Sequence, residues 1–271
     1  MAKIDPNSNL ILSAKQRLLR MHFEAGVGHI GGNLSAMDIL LCLYHEILEP
    51  TDAFVLSKGH AAGALYVALW STGALTDDDL KTFHRDATRL SGHPPSSGIS
   101  QVLFATGSLG HGPSLASGLA LAKRLQGKPG HVFCLTSDAE WNEGSCWEAV
   151  VFAKHHGLKN LTLIVDVNGL QGFGTTKDVA DLHPMADKFR SFGWNTGEID
   201  GHDIPALTAA INSTRNESNP SVILATTRKG YGVSFMEGRM EWHYLPINEA
   251  QYRQAIAELE LVESRRRENS P

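Results

Sequence analysis

Residues 137–171 read SDAEWNEGSCWEAVVFAKHHGLKNLTLIVDVNGLQ. Asp138 follows the apolar run HVFCLT, and Asn168, thirty residues on, follows LTLIVD. Short continuous apolar runs on either side of a helical segment are the signature of neighbouring parallel strands buried on both faces. Open α/β sheets bind ligands beyond the carboxyl ends of their strands, where a helix beginning nearby receives an anion. A carboxylate and an amide oxygen placed there suit a hard cation such as Mg²⁺ or Ca²⁺, which commonly completes its shell with phosphate oxygens. The stretch predicts a metal-bridged diphosphate held between two strand ends. Asp and Asn are also ordinary turn residues, so the isolated pair has a second, purely structural reading.

Outward from this unit the alternation continues. From Pro113 the pattern is helix PSLASGLALAKRL, strand HVFCLT, helix GSCWEAVVFAKHH, strand LTLIVD, helix PMADKFRSF, strand NTGEID, helix DIPALTAAINST and strand SVILATT, closed by the amphipathic helix NEAQYRQAIAELELV. The expected fold class is α/β, a parallel sheet flanked by helices on both faces, in a single domain over 1–271. Towards the N-terminus, residues 8 to 25 have helical periodicity and stop at Gly26. SAMDILLCLYHEIL is expected to begin at Ser35 as N-cap, with Asp38 completing a box-like pair. HAAGALYVALWSTG reads as a small-residue helix, and TDDDLKTF as a short one with acids in its first turn. Between Arg85 and Gly110 lies a long Gly, Ser and Pro-rich stretch, and loops of that length in compact domains are usually functional.

Composition narrows the class. With 271 residues the chain can bury a large core, and a net charge of −5 gives no electrostatic reason to expect nucleic acid or an anionic membrane as partner. The terminal ESRRRENSP is a local charge cluster, read as a solvated end. Cys42, Cys134 and Cys146 match no zinc spacing and lie in apolar or helical stretches, which suits buried thiols in a reducing compartment. The first residues, MAKIDPNSNL, lack a signal-peptide pattern, and no apolar run has the length of a bilayer span. The expected location is cytoplasmic.

The Asp138 to Asn168 spacing resembles the thiamine diphosphate motif of the transketolase family, written GDG and followed about thirty residues later by N. The resemblance extends over nearly the whole chain, through GHIGGNLSA, LSKGHAAGALY, SGHP, TGSLGHG, NEGSCWEA, DVNGLQ and KGYGVSFME in that order. Its length matches the diphosphate-binding (PP) domain, so the chain looks like the N-terminal subunit of a split transketolase with the thiamine diphosphate-binding fold. The resemblance implies a cation held by Asp138, Asn168 and the main-chain oxygen of Leu170, together with diphosphate oxygens. It places His29, His93 and His243 at the sugar, and His60, Ala139 and Lys229 at the diphosphate. Gly107 and Leu109 fall on the aminopyrimidine side, and Glu143 and Glu148 in a proton relay between distant cofactors. Lys229 also reads as a solvated lysine beside a strand end, and the two acids as helix N-terminal charges favoured by the dipole.

The histidines fit the chemistry so implied. A transketolase breaks the C2 to C3 bond of a ketose and passes a two-carbon ketol unit to an aldehyde, and every step moves a proton to or from oxygen. Imidazoles perform such transfers and also hydrogen-bond sugar hydroxyls. Of the thirteen histidines, His45, His155 and His156 read as ordinary surface or core residues, whereas His29, His60, His93 and His243 sit in the family's motifs. The chain departs from the family pattern at Ser137 and Ala139, which flank the Asp where the family has glycines. It departs again at His111, where the family has Gln, and at Tyr244, where it has Gly. Alanine at 139 implies either a backbone φ acceptable to alanine or a shifted cofactor. The glutamate that activates the cofactor belongs to the family's pyrimidine-binding domain, which the resemblance does not cover. The implied partner is a C-terminal transketolase subunit, in an assembly of two copies of each. Two other readings stay open: a different thiamine diphosphate enzyme subunit, of 2-oxo acid dehydrogenase E1α or synthase type, and a non-catalytic scaffold of the same fold.

Overall fold

A computed structural model of the chain describes residues 4 and 9–268, with the backbone alone beyond residue 265. The remaining residues at the N-terminus and the end of the ESRRRENSP cluster lie outside the described residues. The predicted unit is present: strand β2 (Val132–Ser137) and strand β3 (Leu161–Val167) pair in parallel, and Ser137 stands opposite Asp166. Strand β1 (Ala53–Leu56), strand β6 (Asn195–Asp200) and strand β7 (Ser221–Thr226) complete a parallel sheet of order β1-β2-β3-β7-β6. The winding reverses between β3 and β7, where such sheets open a crevice at their carboxyl ends. A small hairpin of β4 (Leu170–Gln171) and β5 (Gly174–Thr175) follows β3.

The period-two alternation of the strands divides the core. Phe133, Leu135, Ile164, Ile223 and Ala225 point into one buried cluster, and Val132, Cys134, Leu161, Leu163, Val165, Val222 and Leu224 into the other. The first face is covered by α1 (Leu10–Ala25), α2 (Ile30–Cys42), α3 (Ala62–Ser71), α9 (Ile204–Ser213) and α10 (Glu249–Glu268). The second is covered by α5 (Gly112–Leu125), α6 (Gly144–His155) and α8 (Met185–Ser191). Short helices α4 (Asp77–Leu80) and α7 (Thr176–Ala180) lie in the connections, α4 closed by a Thr76 to Asp79 capping box. All three cysteines are buried and free. Among the described residues no helix is long and apolar enough to cross a membrane.

Two local expectations are corrected. Ser35 is no N-cap: α2 begins five residues earlier at Ile30, and both Ser35 and Asp38 are buried inside it. His29 takes the N-cap position in a left-handed conformation (φ 66°), and the Asn33 side chain donates to its carbonyl at 2.8 Å. Packing of every residue from Ile30 to Cys42 overrides the poor helix propensity of Gly31 and Gly32. Asp38 pairs with Lys15 at 3.1 Å and accepts from His202 Nδ1 at 2.9 Å instead of capping. The second correction is an addition: β1, four residues long, is too short to show periodicity in the sequence, yet it forms the edge of the sheet.

Candidate functional site

The carboxyl ends of β1, β2, β3 and β7 lie side by side, and each runs into one of the motifs: SKGHA after β1, Asp138 after β2, Asn168 after β3 and Lys229 after β7. Asp138 is almost fully buried. Its carboxylate accepts the amides of Ala139 at 2.8 Å and of Gly169, in the Asn168 loop, at 2.7 Å. Burial, followed by the charge of nearby Asp166, raises its pKa to about 6. The side-chain oxygen of Asn168 takes the Leu170 amide at 3.2 Å. Thus the strand ends meet as predicted, with the two side-chain oxygens fixed by main-chain donors of one shared loop. Ala139 opens a 3-10 turn, Ala139–Asn142, and is absent from the residues with positive φ, so the backbone conformation suits alanine. Among the described residues no three His, Cys, Asp or Glu side chains form a metal cage. A cation here would need ligands from beyond this chain's carboxylates.

The four motif histidines converge. The His29 ring centroid lies 5.1 Å from that of His243, 5.7 Å from His60 and 5.9 Å from His93, and His60 lies 5.4 Å from His243. They come from four separate segments, and specific contacts hold them. The buried Asn33 amide donates to the carbonyls of both His29 and His60 and accepts from the Ala64 amide at 2.8 Å. The His29 amide donates to the His243 carbonyl at 3.1 Å. Gly107 holds φ 145°, and a Cβ there would stand 2.8 Å from His93 Cδ2, so only glycine lets TGSLG pass over that ring. Burial, reinforced by neighbouring cations and imidazoles, pushes His29 down to about 4 and His243 to about 3, and holds His60 well below its ordinary value and His93 lower than usual. At neutral pH these rings are uncharged, each with one donor and one acceptor nitrogen.

Lys229 is buried, not solvated, and its ammonium lies 3.1 Å from His243 Nδ1. Desolvation, then the charge of Lys58, lowers its pKa to about 8. Tyr244 turns its hydroxyl onto the Gly172 carbonyl at 3.0 Å, tying the His243 segment to the β4-β5 hairpin beyond Asn168. Leu109 is half-buried in the TGSLGHG turn, and the exposed His111 folds its ring back onto the Ser108 and Leu109 carbonyls. Glu143 and Glu148 are exposed on α6, Glu143 at its N-cap.

Sequence reasoning missed the buried groups underneath. Glu140 accepts from Ser57 Oγ, from the Gly110 amide at 2.9 Å and from the Ser137 amide at 3.3 Å, and so ties the TGSLGHG turn to β1 and β2. Asp166 pairs with Lys58. Polar residues inside apolar runs, such as Asp166 in LTLIVDV, were the available signal, because a buried charge must have partners.

Comparison with known proteins agrees with this arrangement. Residues 12–263 match the family model described as transketolase, thiamine diphosphate binding domain. A 6-deoxy-6-sulfo-D-fructose transketolase subunit of Clostridium sp. (strain MSTE9) is 38% identical, over 88% of this chain and 90% of its own. One of the subunits of the apulose-4-phosphate transketolase of Actinobacillus succinogenes is also 38% identical, over 84% of this chain and 85% of its own. Among solved structures, the transketolase of Leishmania mexicana superposes with a TM-score of 0.81 at 25% identity, and that of Campylobacter jejuni with 0.78 at 27%. This chain covers 96% and 97% of itself in those superpositions but spans only 46% and 48% of the two enzymes. With the family model, the subunit-length relatives and the superposed fold in agreement, the chain belongs to the transketolase family and corresponds to its thiamine diphosphate binding domain.

Proposed function

We propose that this chain is the diphosphate-binding subunit of a split transketolase that transfers a two-carbon ketol unit from a ketose to an aldose. The observation that carries this is the convergence of His29, His60, His93 and His243 beside the Asp138 and Asn168 strand ends. The donor set fits a hard cation with a diphosphate: the buried Asp138 carboxylate, raised to about 6 by desolvation, forms no direct ion pair among the described residues, and Mg²⁺ or Ca²⁺ would supply one. Asp138, Asn168 and the Leu170 carbonyl would hold the ion. His60, Lys229 and the Ala139 amide would face the diphosphate, Gly107 and Leu109 the aminopyrimidine, and Glu143 the relay to a second site. Bound thiamine diphosphate supplies the electron sink that makes C2 to C3 cleavage possible.

The chain's own part is to place neutral imidazoles around the sugar oxygens. With pKa values near 4 and 3, His29 and His243 accept a proton without first losing one at neutral pH. His93, from the long loop, would hold the donor hydroxyl. Residues 1–271 then constitute a PP domain. The family's activating glutamate lies outside the matched domain, which calls for a C-terminal transketolase subunit in a two-plus-two heterotetramer. Relatives named for a sulfosugar and for apulose-4-phosphate point to a specialised sugar as substrate. Three buried free thiols favour the reducing cytoplasm. The test is reconstitution. Mixed with its partner, the chain should bind thiamine diphosphate with Mg²⁺ in calorimetry and turn over ketose donors. Turnover by this chain alone refutes the split-enzyme reading, and absence of cofactor binding by the assembled pair refutes the cofactor reading.

A further inference from the structure

The carboxylate of Asp166 is completely buried, lies on the α2 side of the sheet and has donors from three other segments. Lys58 forms its ion pair, Ser35 Oγ donates at 2.6 Å, and Thr227 Oγ1 donates as well. The Lys58 ammonium reaches further, to the Gly32 carbonyl at 3.1 Å. Each of these groups stands close in sequence to a residue of the candidate site. Lys58 is two residues before His60, Asp166 two before Asn168, and Thr227 two before Lys229. Gly32 and Ser35 lie on the opening turns of α2, whose N-cap is His29. The main chain repeats the pattern: the Asp138 amide donates to the Asp166 carbonyl at 3.2 Å, and the Thr227 amide to the Val167 carbonyl at 3.0 Å.

We propose that Asp166 is the positioning residue of this site, a single buried carboxylate that sets the relative placement of the segments bearing His29, His60, Asn168 and Lys229. The inference rests on the functional reading above for what the site binds, but not for the geometry. A carboxylate accepts several hydrogen bonds in directions fixed by its plane, so three donors on it fix three segments against one another. Stability alone does not explain the choice, since packed apolar residues commonly match or exceed a buried ion pair.

The experiment uses the full chain labelled at its histidine rings, followed by NMR, with thermal unfolding and thiamine diphosphate affinity in Mg²⁺ measured on the assembled pair. Asp166→Asn should shift the ring signals of His60 and His243 and weaken cofactor binding tenfold or more. Thr227→Val should move His243, next to Lys229, more than His29, and Ser35→Ala should move His29 more than His243. These milder variants decide the matter if Asp166→Asn does not fold. Arg215→Met breaks the Asp52 ion pair near the other end of the strands and serves as control: stability should fall while the ring signals of His29, His60 and His243 and the affinity hold, the neighbouring His131 alone shifting. If the Asp166, Thr227 and Ser35 variants lower the melting temperature yet leave ring signals and affinity as in the control, the positioning role is overturned. If the unaltered chain with its partner binds no cofactor, the functional reading fails, and the ring signals still decide the role of Asp166.

Discussion

Replacing Asp138 with Asn should stabilise the protein in the absence of cation and cofactor, with a sign that reverses with pH. Asp138 has a folded pKa of about 6 against an ordinary 3.8. Between those values the folded state binds a proton that the unfolded chain does not, so stability falls as pH rises through the window, and the cost is complete above about pH 6. A shift of about two units corresponds to about 3 kcal/mol. The amide of Asn carries no charge and avoids that cost. It retains one oxygen acceptor, so it loses one of the two bonds now accepted from Ala139 and Gly169, at roughly 1 kcal/mol. The net gain is about 2 kcal/mol at pH 8, a rise in melting temperature of roughly 4–8 °C for a domain of this size. At pH 4 the carboxyl is protonated, the cost has gone, and Asn should be the less stable by about 1 kcal/mol. Circular dichroism melts in EDTA at the two pH values measure both differences. A variant that is less stable at pH 8, or equally changed at both pH values, would refute the reasoning. With Mg²⁺ and thiamine diphosphate added, only the unaltered protein should gain stability.

Three further outcomes are expected. Gly107→Ala forces an L side chain into φ 145° and places its Cβ 2.8 Å from His93 Cδ2; a loss of about 1–3 kcal/mol in urea unfolding, with a raised KM for the ketose donor in the assembled enzyme, tests it. Asn33→Ala removes the partner of the Ala64 amide and the His60 carbonyl, so chemical denaturation should show a cost of about 2–4 kcal/mol, and a cost under about 1 kcal/mol counts against its bridging role. His22, fully buried beside Phe83, has its pKa lowered to about 4 by desolvation from an ordinary 6.5. Between those values the unfolded chain binds the extra proton, so stability declines as pH falls, by up to about 3 kcal/mol from this group, and His22→Leu should flatten the profile measured by urea titration.

The sheet and its metal-candidate corner were legible because both depend on local pattern. Apolar runs such as HVFCLT and LTLIVD show their length and burial directly, and the helix between them fixes a parallel neighbour, so Asp138 and Asn168 had to emerge at adjacent strand ends. Gly26 as a helix stop was readable for the same reason: it takes φ 64° and caps α1. The start of α2 was not, because GHIGGN has the composition of a loop, and only burial of the whole segment makes it helical. Lys229 shows the same limit. Its neighbours Arg228 and Gly230 suggest a surface turn, yet it is buried against His243 because the chain after β7 folds back over the site.

What the sequence alone determined is the α/β order, the strand ends and the histidines that belong to the family's motifs. The tertiary structure decided how those histidines meet. Their segments lie far apart in the chain, and their spacing depends on Asn33, Asp166, Glu140 and Gly107, none of which marks itself by periodicity. It also decided their charge. Desolvation and neighbouring cations lower the imidazoles, and burial raises Asp138, through an environment assembled from distant residues. Hydrophobic alternation is written along the chain, whereas hydrogen-bond satisfaction and local electrostatics are properties of what the folded chain brings together.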